Sequence, residues 1–234
     1  MQPILNDVYW INTGFVNCFL CYDDSGLCLI DTGMSAGAGK IKEALAEIGC
    51  APGDITRILL THADVDHVRG LASCWKQSNA AVYAGAESAA FIASGKSPQH
   101  LPGLMQKISD AIIRNPIVPA EAISVVREGD KIPVLGGLEV VATPGHTMDH
   151  LSFFSPQTGV LFAGDSLSTR NGRLQRTAPI MTNNEDAANR SALRLLAMTP
   201  IVYACGHGAP LNDPSGAEAV KLANTIQLQM EELV

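Results

Sequence analysis

Apolar residues recur along this chain with two periods, and the changes of period divide it into elements. Near the start, "DVYWI", "FVNCFLCY" and "LCLID" are short, β-rich runs separated by Gly, Asn and Asp, and they predict three strands. Between residues 36 and 49 the spacing becomes helical: Ile41, Ala44, Leu45 and Ile48 share one face, Gly49 is a stop, and Pro52 lies just beyond. "RILLT" (57–61) and "AAVYA" (80–84) read as buried strands. Residues 86–121 break the rhythm, being Ala-rich and interrupted by Pro98, Pro102, Pro116 and Pro119. Short helices and loops are expected there, spliced between two sheet regions. Strands resume at "ISVV", "LEVVAT", "LSFFS" and "VLFAG". A helix at about 185–198 (Ala188, Ala192, Leu195, Leu196) leads to the strand "IVYA", and a last helix at about 215–232 carries Ala219, Leu222, Ile226 and Met230.

This order contains a faint internal repeat. "LCLIDTG", a helix and "RILLTHADVDH" match "VLFAGDS", a helix and "IVYACGHG". Each copy runs strand, Asp, helix, strand, His. Two such halves imply two sheets with helices outside and polar residues gathered at one edge, where ligand sites of α/β proteins lie. The length of 234 residues and 47% hydrophobic content suffice for one core, so a single domain over 1–234 is expected, with 86–121 as an insertion.

Charge narrows the partners. The net charge is −7, and no Lys/Arg block interrupts the chain. There is thus no general electrostatic reason to bind nucleic acid or anionic membrane. The start, "MQPILNDVYWINTG", has neither a basic region nor an apolar core of a signal peptide, and no apolar run is long enough to cross a bilayer. A cytoplasmic protein is the expectation. The six cysteines are then reduced and mostly buried. Cys18 and Cys21 form a C-x-x-C, but three positions apart on a strand they point to opposite faces. They read as two strand cysteines rather than a zinc or redox pair.

The chemistry gathers at strand ends. "LLTHADVDHVRG" (59–70) holds His62, Asp64, Asp66 and His67, while "TPGHT", "LFAGDS" and "ACGHG" hold His146, Asp165 and His207 beside glycines. Glycine permits the backbone angles and close approach such loops need. Singly, each would read as a boundary residue or a turn cap. Four of the six histidines stand in such motifs, and that concentration is the signal. Imidazoles and carboxylates are donors for divalent metals, and two metals roughly 3.5–4 Å apart need about this many groups, one of them bridging. His100 and His150 read as ordinary polar residues, with His150 near the site but not a ligand.

In order, "LIDTG" (29–33), "THADVDH" (61–67), "PGHT" (144–147), "AGDS" (163–166) and "CGHG" (205–208) resemble the metallo-β-lactamase-fold superfamily over nearly the whole chain. The usual first motif of that family is Thr-His-x-His-x-Asp-His. The resemblance implies an α/β (α+β) fold, a four-layer αββα sandwich of two mixed sheets with the site at one edge. It also implies two divalent cations: one on His62, Asp64 and His146, the other on Asp66, His67 and His207, with Asp165 bridging and Asp31 holding the site by hydrogen bonds. Asp64 departs from the pattern by replacing a histidine. Zinc is expected first; the hard carboxylate of Asp64 favours harder metals and leaves iron or manganese open.

The implied activity is hydrolysis. A bridging water gives hydroxide at neutral pH and attacks an ester, thioester, lactone or related bond, while Asp66, as catalytic residue, orients the nucleophile and shuttles a proton. The same fold also serves diiron or mononuclear iron oxidoreductases and sulfur dioxygenases, a second reading to which Asp64 lends weight, although no flavin-binding domain follows "CGHG". A non-enzymatic metal-binding protein is the third. The substrate is expected to be a small molecule. Arg170, Arg173 and Arg176 in "SLSTRNGRLQRTAP" either bind its carboxylate or phosphate or lie in a solvated loop. The 86–121 segment, with Phe91, Leu101, Leu104 and Met105, is open to three roles: a pocket wall, packing on the core, or a homo-oligomer contact.

Overall fold

In the computed structural model, which describes residues 1–24, 26–98, 103 and 117–232, strand alternation sorts the apolar side chains into three slabs. The first sheet, among the described residues, runs in chain order: β1 (Gln2–Leu5), β2 (Val8–Asn12), β3 (Asn17–Asp23), β4 (Gly26–Ile30), β5 (Ile55–Leu59), β6 (Ala81–Ala84) and β7 (Ile123–Val125). It is antiparallel as far as β4 and parallel from β4 to β7. The remaining strands are β8 (Lys131–Ile132), β9 (Leu138–Ala142), β10 (Leu151–Phe154), β11 (Val160–Gly164), β12 (Leu167–Arg170), β13 (Arg173–Arg176), β14 (Val202–Cys205) and β15 (Leu211–Asn212). The second sheet has the order β15-β14-β11-β10-β9-β8, and β12 and β13 form a separate hairpin.

Successive residues on a strand face opposite ways. Cys18, Leu20, Leu29 and Ile58 therefore pack outward under helix α1 (Gly37–Glu47), against Ile41, Ala44 and Leu45. Their neighbours Phe19, Cys21, Cys28 and Ile30 point inward and meet Val140, Phe153, Phe162 and Ala204 of the second sheet. On its far face Val141, Phe154, Leu161 and Tyr203 pack with Leu195 and Leu196 of α5 (Glu185–Ala197) and Ile226 of α6 (Ala217–Glu231). The result is the four-layer αββα arrangement. Each fully buried Leu or Phe adds roughly 1.5–3 kcal/mol of burial. Cys18 and Cys21 fall in different slabs, and all six cysteines are free.

Three short helices complete the first half: α2 (Val65–Val68), α3 (Leu71–Ser78) and α4 (Ala86–Ser94). The internal repeat is real in three dimensions. In both β4–α1–β5 and β11–α5–β14 a helix joins two parallel neighbouring strands.

Two expectations change. "ISVV" returns to the first sheet as β7, paired with β6, so the 86–121 segment splits one sheet rather than separating two. That segment opens with α4, whose Phe91 packs on the outer slab; His100, Leu101, Leu104 and Met105 lie outside the described residues. Second, "SLSTRNGRLQRTAP" is no loop. It folds as β12 and β13 about Asn171-Gly172, whose φ values of 52° and 72° suit the tight turn that Asn-Gly favours. The dipeptide was the signal, but Leu167 and Leu174 are the only large apolar residues beside it, too few to show alternation. Among the described residues no helix is long and apolar enough to cross a membrane.

Candidate metal centre

The centre is built from Asp31 outward. The chain leaves β4 with Asp31 at φ 56°, a left-handed conformation that Asp tolerates better than most residues. This turns its buried carboxylate toward the end of β5, where Oδ1 accepts from the Thr61 amide at 2.9 Å and Oδ2 from the Thr61 hydroxyl at 2.8 Å. His67 Nδ1 lies 2.8 Å from the same Oδ2. A carboxylate only accepts, so His67 carries its hydrogen on Nδ1 and aims Nε2 inward. Thr61 has given its one proton to Asp31, so its oxygen accepts from His62 Nδ1 at 3.0 Å. His146 Nδ1 donates to the Met181 carbonyl at 2.5 Å, and His207 Nδ1 to the Phe15 carbonyl at 3.1 Å. Four rings thus share one orientation, Nδ1 turned to the outer hydrogen bond and Nε2 inward.

Their Nε2 atoms converge on carboxylates. Asp64 Oδ2 lies 3.1 Å from His146 Nε2 and 3.5 Å from His62 Nε2, so this carboxylate faces the centre. Asp66 Oδ2 lies 3.5 Å from His207 Nε2 and 3.9 Å from His67 Nε2. Asp165 reaches both groups: Oδ1 is 3.3 Å from His67, and Oδ2 is 3.1 Å from His207 and 3.7 Å from His146. All seven residues singled out in the sequence, and Asp31, come together. Three three-residue sets, His62–Asp64–His146, His62–His67–Asp165 and Asp66–His67–His207, each bring one ligand atom per residue within 4.8 Å of one another. His62 Nε2, His67 Nε2 and Asp165 Oδ1 are buried without a hydrogen-bond partner among the described residues. Each such orphan costs about 1–3 kcal/mol, and a cation at their focus would satisfy all three. The donor set fits divalent metal.

Electrostatics agree. Burial pulls the His67 pKa down, but Asp165, Asp31 and Asp66 outweigh it and raise it well above the usual range. His146 is likewise raised, burial being opposed by Asp64 and Asp165. His207 is pushed up to about 10, because Asp165 and Asp66 overcome its burial. Burial alone would raise Asp165, yet His67 and His207 hold it well below the carboxylate range. Without cations, protons held on these imidazoles balance the ionised carboxylates; a bound metal would displace those protons.

His150 lies where the sequence reading put it, near the site and not as a ligand. It is buried, and its Nε2 accepts the Asp165 backbone N–H at 2.9 Å, so its lone pair is spent and it cannot ligate. Its Nδ1 faces the Thr143 hydroxyl at 2.7 Å, and its ring lies 4.9 Å from that of His62. Burial first, then His62 and His146, pushes its pKa well below the usual value. Asp149 was missed: Oδ2 accepts from the Ala63 amide at 3.2 Å and from the Ser88 hydroxyl at 2.5 Å, tying the loop between His62 and Asp64 to α4. Nothing in "HTMDH" shows either partner, since both are remote in sequence. Gly206 has a steric reason: a Cβ there would sit 2.2 Å from Asp165 Oδ1.

Comparison with known proteins fixes the family. The model of the metallo-beta-lactamase superfamily matches residues 11–207, from β2 through His207. The chain belongs to the metallo-beta-lactamase superfamily. Within it, the chain is 28% identical over 217 residues to the probable metallo-hydrolase YflN of Bacillus subtilis, covering 85% of this chain and 81% of that one. It is 32% identical over 187 residues to a hydroxyacylglutathione hydrolase of Pseudomonas putida, covering 76% of this chain and 58% of that one. Among solved structures, this superfamily member resembles a metallo-beta-lactamase family protein from Thermus thermophilus, with a TM-score of 0.68, 26% identity and coverage of 99% and 83%.

Proposed function

We propose that this protein is a metal-dependent hydrolase of an ester, thioester, lactone or related bond in a small molecule. His62, Asp64 and His146 would hold one divalent cation, Asp66, His67 and His207 a second, and Asp165 would be shared. The observation that carries the reading is the common ring orientation: four outer hydrogen bonds present four Nε2 atoms to three carboxylates, with metal-ligating atoms buried at the focus. When bound, such a pair supplies hydroxide near neutral pH and polarises the substrate's carbonyl oxygen. The chain's own residues do the rest. Asp31 and Thr61 fix the rings, and buried His62 and His67 keep the floor dry. Asp66 is the most accessible of the three inward carboxylates, its side chain 17% exposed. Burial would raise it, but His67 and His207 lower it, so at neutral pH it is an acceptor suited to orient the nucleophile and pass its proton on.

The hydroxyacylglutathione hydrolase relative supports hydrolysis, with thioesters first among the bonds to try. Zinc is proposed first. The inward carboxylate of Asp64 favours a second reading, iron and an oxidation on the same donors. The free cysteines fit a reducing compartment, the cytoplasm. Elemental analysis of the purified protein, followed by a panel of lactone, thioester and phosphodiester substrates, tests the proposal. Two zincs with hydrolysis support it; iron with oxygen consumption supports the second reading. Full hydrolytic activity in an Asp165→Ala variant would sink both.

A further inference from the structure

Away from the metal centre, strand β13, the residues Thr177–Pro179 that follow it and helix α6 line an open cavity of about 320 Å³. That is the size of a small-molecule site. Its walls carry Arg173, Arg176 and Lys221 against a single carboxylate, Glu218. Glu218 is already engaged: Oε1 lies 3.6 Å from Lys221 Nζ, and Oε2 accepts from the Leu174 amide at 3.4 Å. The Arg176 side chain is only 12% exposed. Its Nη2 reaches Glu185 at a long 3.5 Å, while Nη1 is buried with no hydrogen-bond partner among the described residues. A guanidinium cannot shed its charge, so a buried, partnerless Nη1 asks for an acceptor. In a chain of net charge −7, this is a local excess of positive charge.

One wall of the cavity is also hydrogen-bonded to the centre. The Thr177 hydroxyl donates to the Asp165 carbonyl, and the Met181 carbonyl accepts from His146. The stretch 177–181 is thus tied at both ends to the metal site, and its Thr177, Ala178 and Pro179 line the cavity.

We propose that this cavity is a second ligand site, taking a phosphate or carboxylate group on Arg176 and Arg173, with Lys221 at the wall. The group belongs either to the distal end of the hydrolysed substrate, an arm that rests on the hydrolase reading, or to a separate small anion. The test titrates inorganic phosphate into the purified protein by calorimetry, comparing wild type with Arg176→Gln after checking equal metal content and melting temperature. Saturable binding weakened about tenfold or more is expected, the loss of one charge-assisted hydrogen bond. Phosphate also coordinates metals, so affinity that is unchanged in Arg176→Gln and in the double variant Arg173→Gln/Lys221→Gln overturns the proposal. Should Arg176→Gln misfold, the double variant decides alone.

Kinetics then separate the sources, using two thioesters that differ only in a distal carboxylate. If KM for the carboxylate-bearing one rises about tenfold in Arg176→Gln while the neutral one is unchanged, the substrate supplies the anion. If both KM values hold while phosphate affinity falls, a separate anion does. A wild type that cleaves no thioester but binds phosphate through Arg176 counts against that substrate class and leaves the cavity site standing.

Discussion

The two βαβ units supply the metal centre in different ways. The first, β4–α1–β5, ends in His62, Asp64, Asp66 and His67, four donors within six residues, and supports them through one shared carboxylate: Asp31, following β4, holds Thr61 and His67, and Thr61 holds His62. The second unit, β11–α5–β14, gives one donor per strand end, Asp165 and His207, with His146 arriving from the loop before β10. Each of these has its own separate brace: Asp165 the His150 ring and the Thr177 hydroxyl, His146 the carbonyl of Met181, and His207 the carbonyl of Phe15, 192 positions distant and outside the unit. A cluster of donors can share one short cradle. Scattered donors need a separate tertiary contact each; of the four rings only His207 is markedly exposed, its side chain 35%, whereas His62, His67 and His146 are buried.

The comparison can be broken at its shared member. Asp165→Ala removes the one carboxylate that touches both groups, and activity should fall below about one-hundredth of wild type with loss of bound metal, read by turnover and elemental analysis. Next comes the shared cradle. Asp31→Asn keeps the shape but cannot accept equally from Thr61 and His67, so metal affinity should drop about 10- to 100-fold with the circular dichroism spectrum unchanged. An Asp31→Asn protein with native affinity would show that the first unit does not depend on its cradle. The separate brace is weaker: His150→Ala strands the Asp165 amide and should lower stability by about 1–3 kcal/mol in denaturant titration.

Protons sharpen the same contrast. His207 in the metal-free protein is raised to about 10, so at pH 7 it is charged and paired with Asp165 and Asp66. Its contribution to metal-free stability is complete below its unfolded pKa of about 6.5 and is lost as pH rises through about 10. Metal must displace that proton, so apparent affinity should weaken on acidification, and calorimetry in two buffers of different ionisation enthalpy should detect proton release. No release would contradict the pairing. The smallest effect is expected for Phe15→Ala: the ring packs edge-on to His207 at 5.8 Å, but the brace is a backbone carbonyl, so stability should change by less than about 1 kcal/mol.

Much of this molecule was legible as pattern. Period 2 and period 3.6 placed the long strands and the three long helices within a few residues, because each element must bury a face whose spacing its own geometry fixes. The short pieces were not legible. β1, β8 and β15, the helices α2 and α3, and the Asn171-Gly172 hairpin carry too few apolar positions to set a period. β7 was seen as a strand but given no sheet, since "ISVV" names no partner and pairing is settled only across the chain.

The donors divide along the same line. Residue type and spacing alone singled out His62, Asp64, Asp66, His67, His146, Asp165 and His207, because imidazoles and carboxylates at glycine-flanked strand ends suit few tasks other than holding cations. Tertiary structure decided which nitrogen each ring offers. It set His150 apart from the other rings by giving its lone pair to an amide, and it turned the Asp64 carboxylate inward. A hydrogen bond's partner lies wherever folding brings it, and no local spacing encodes a contact between residues 15 and 207.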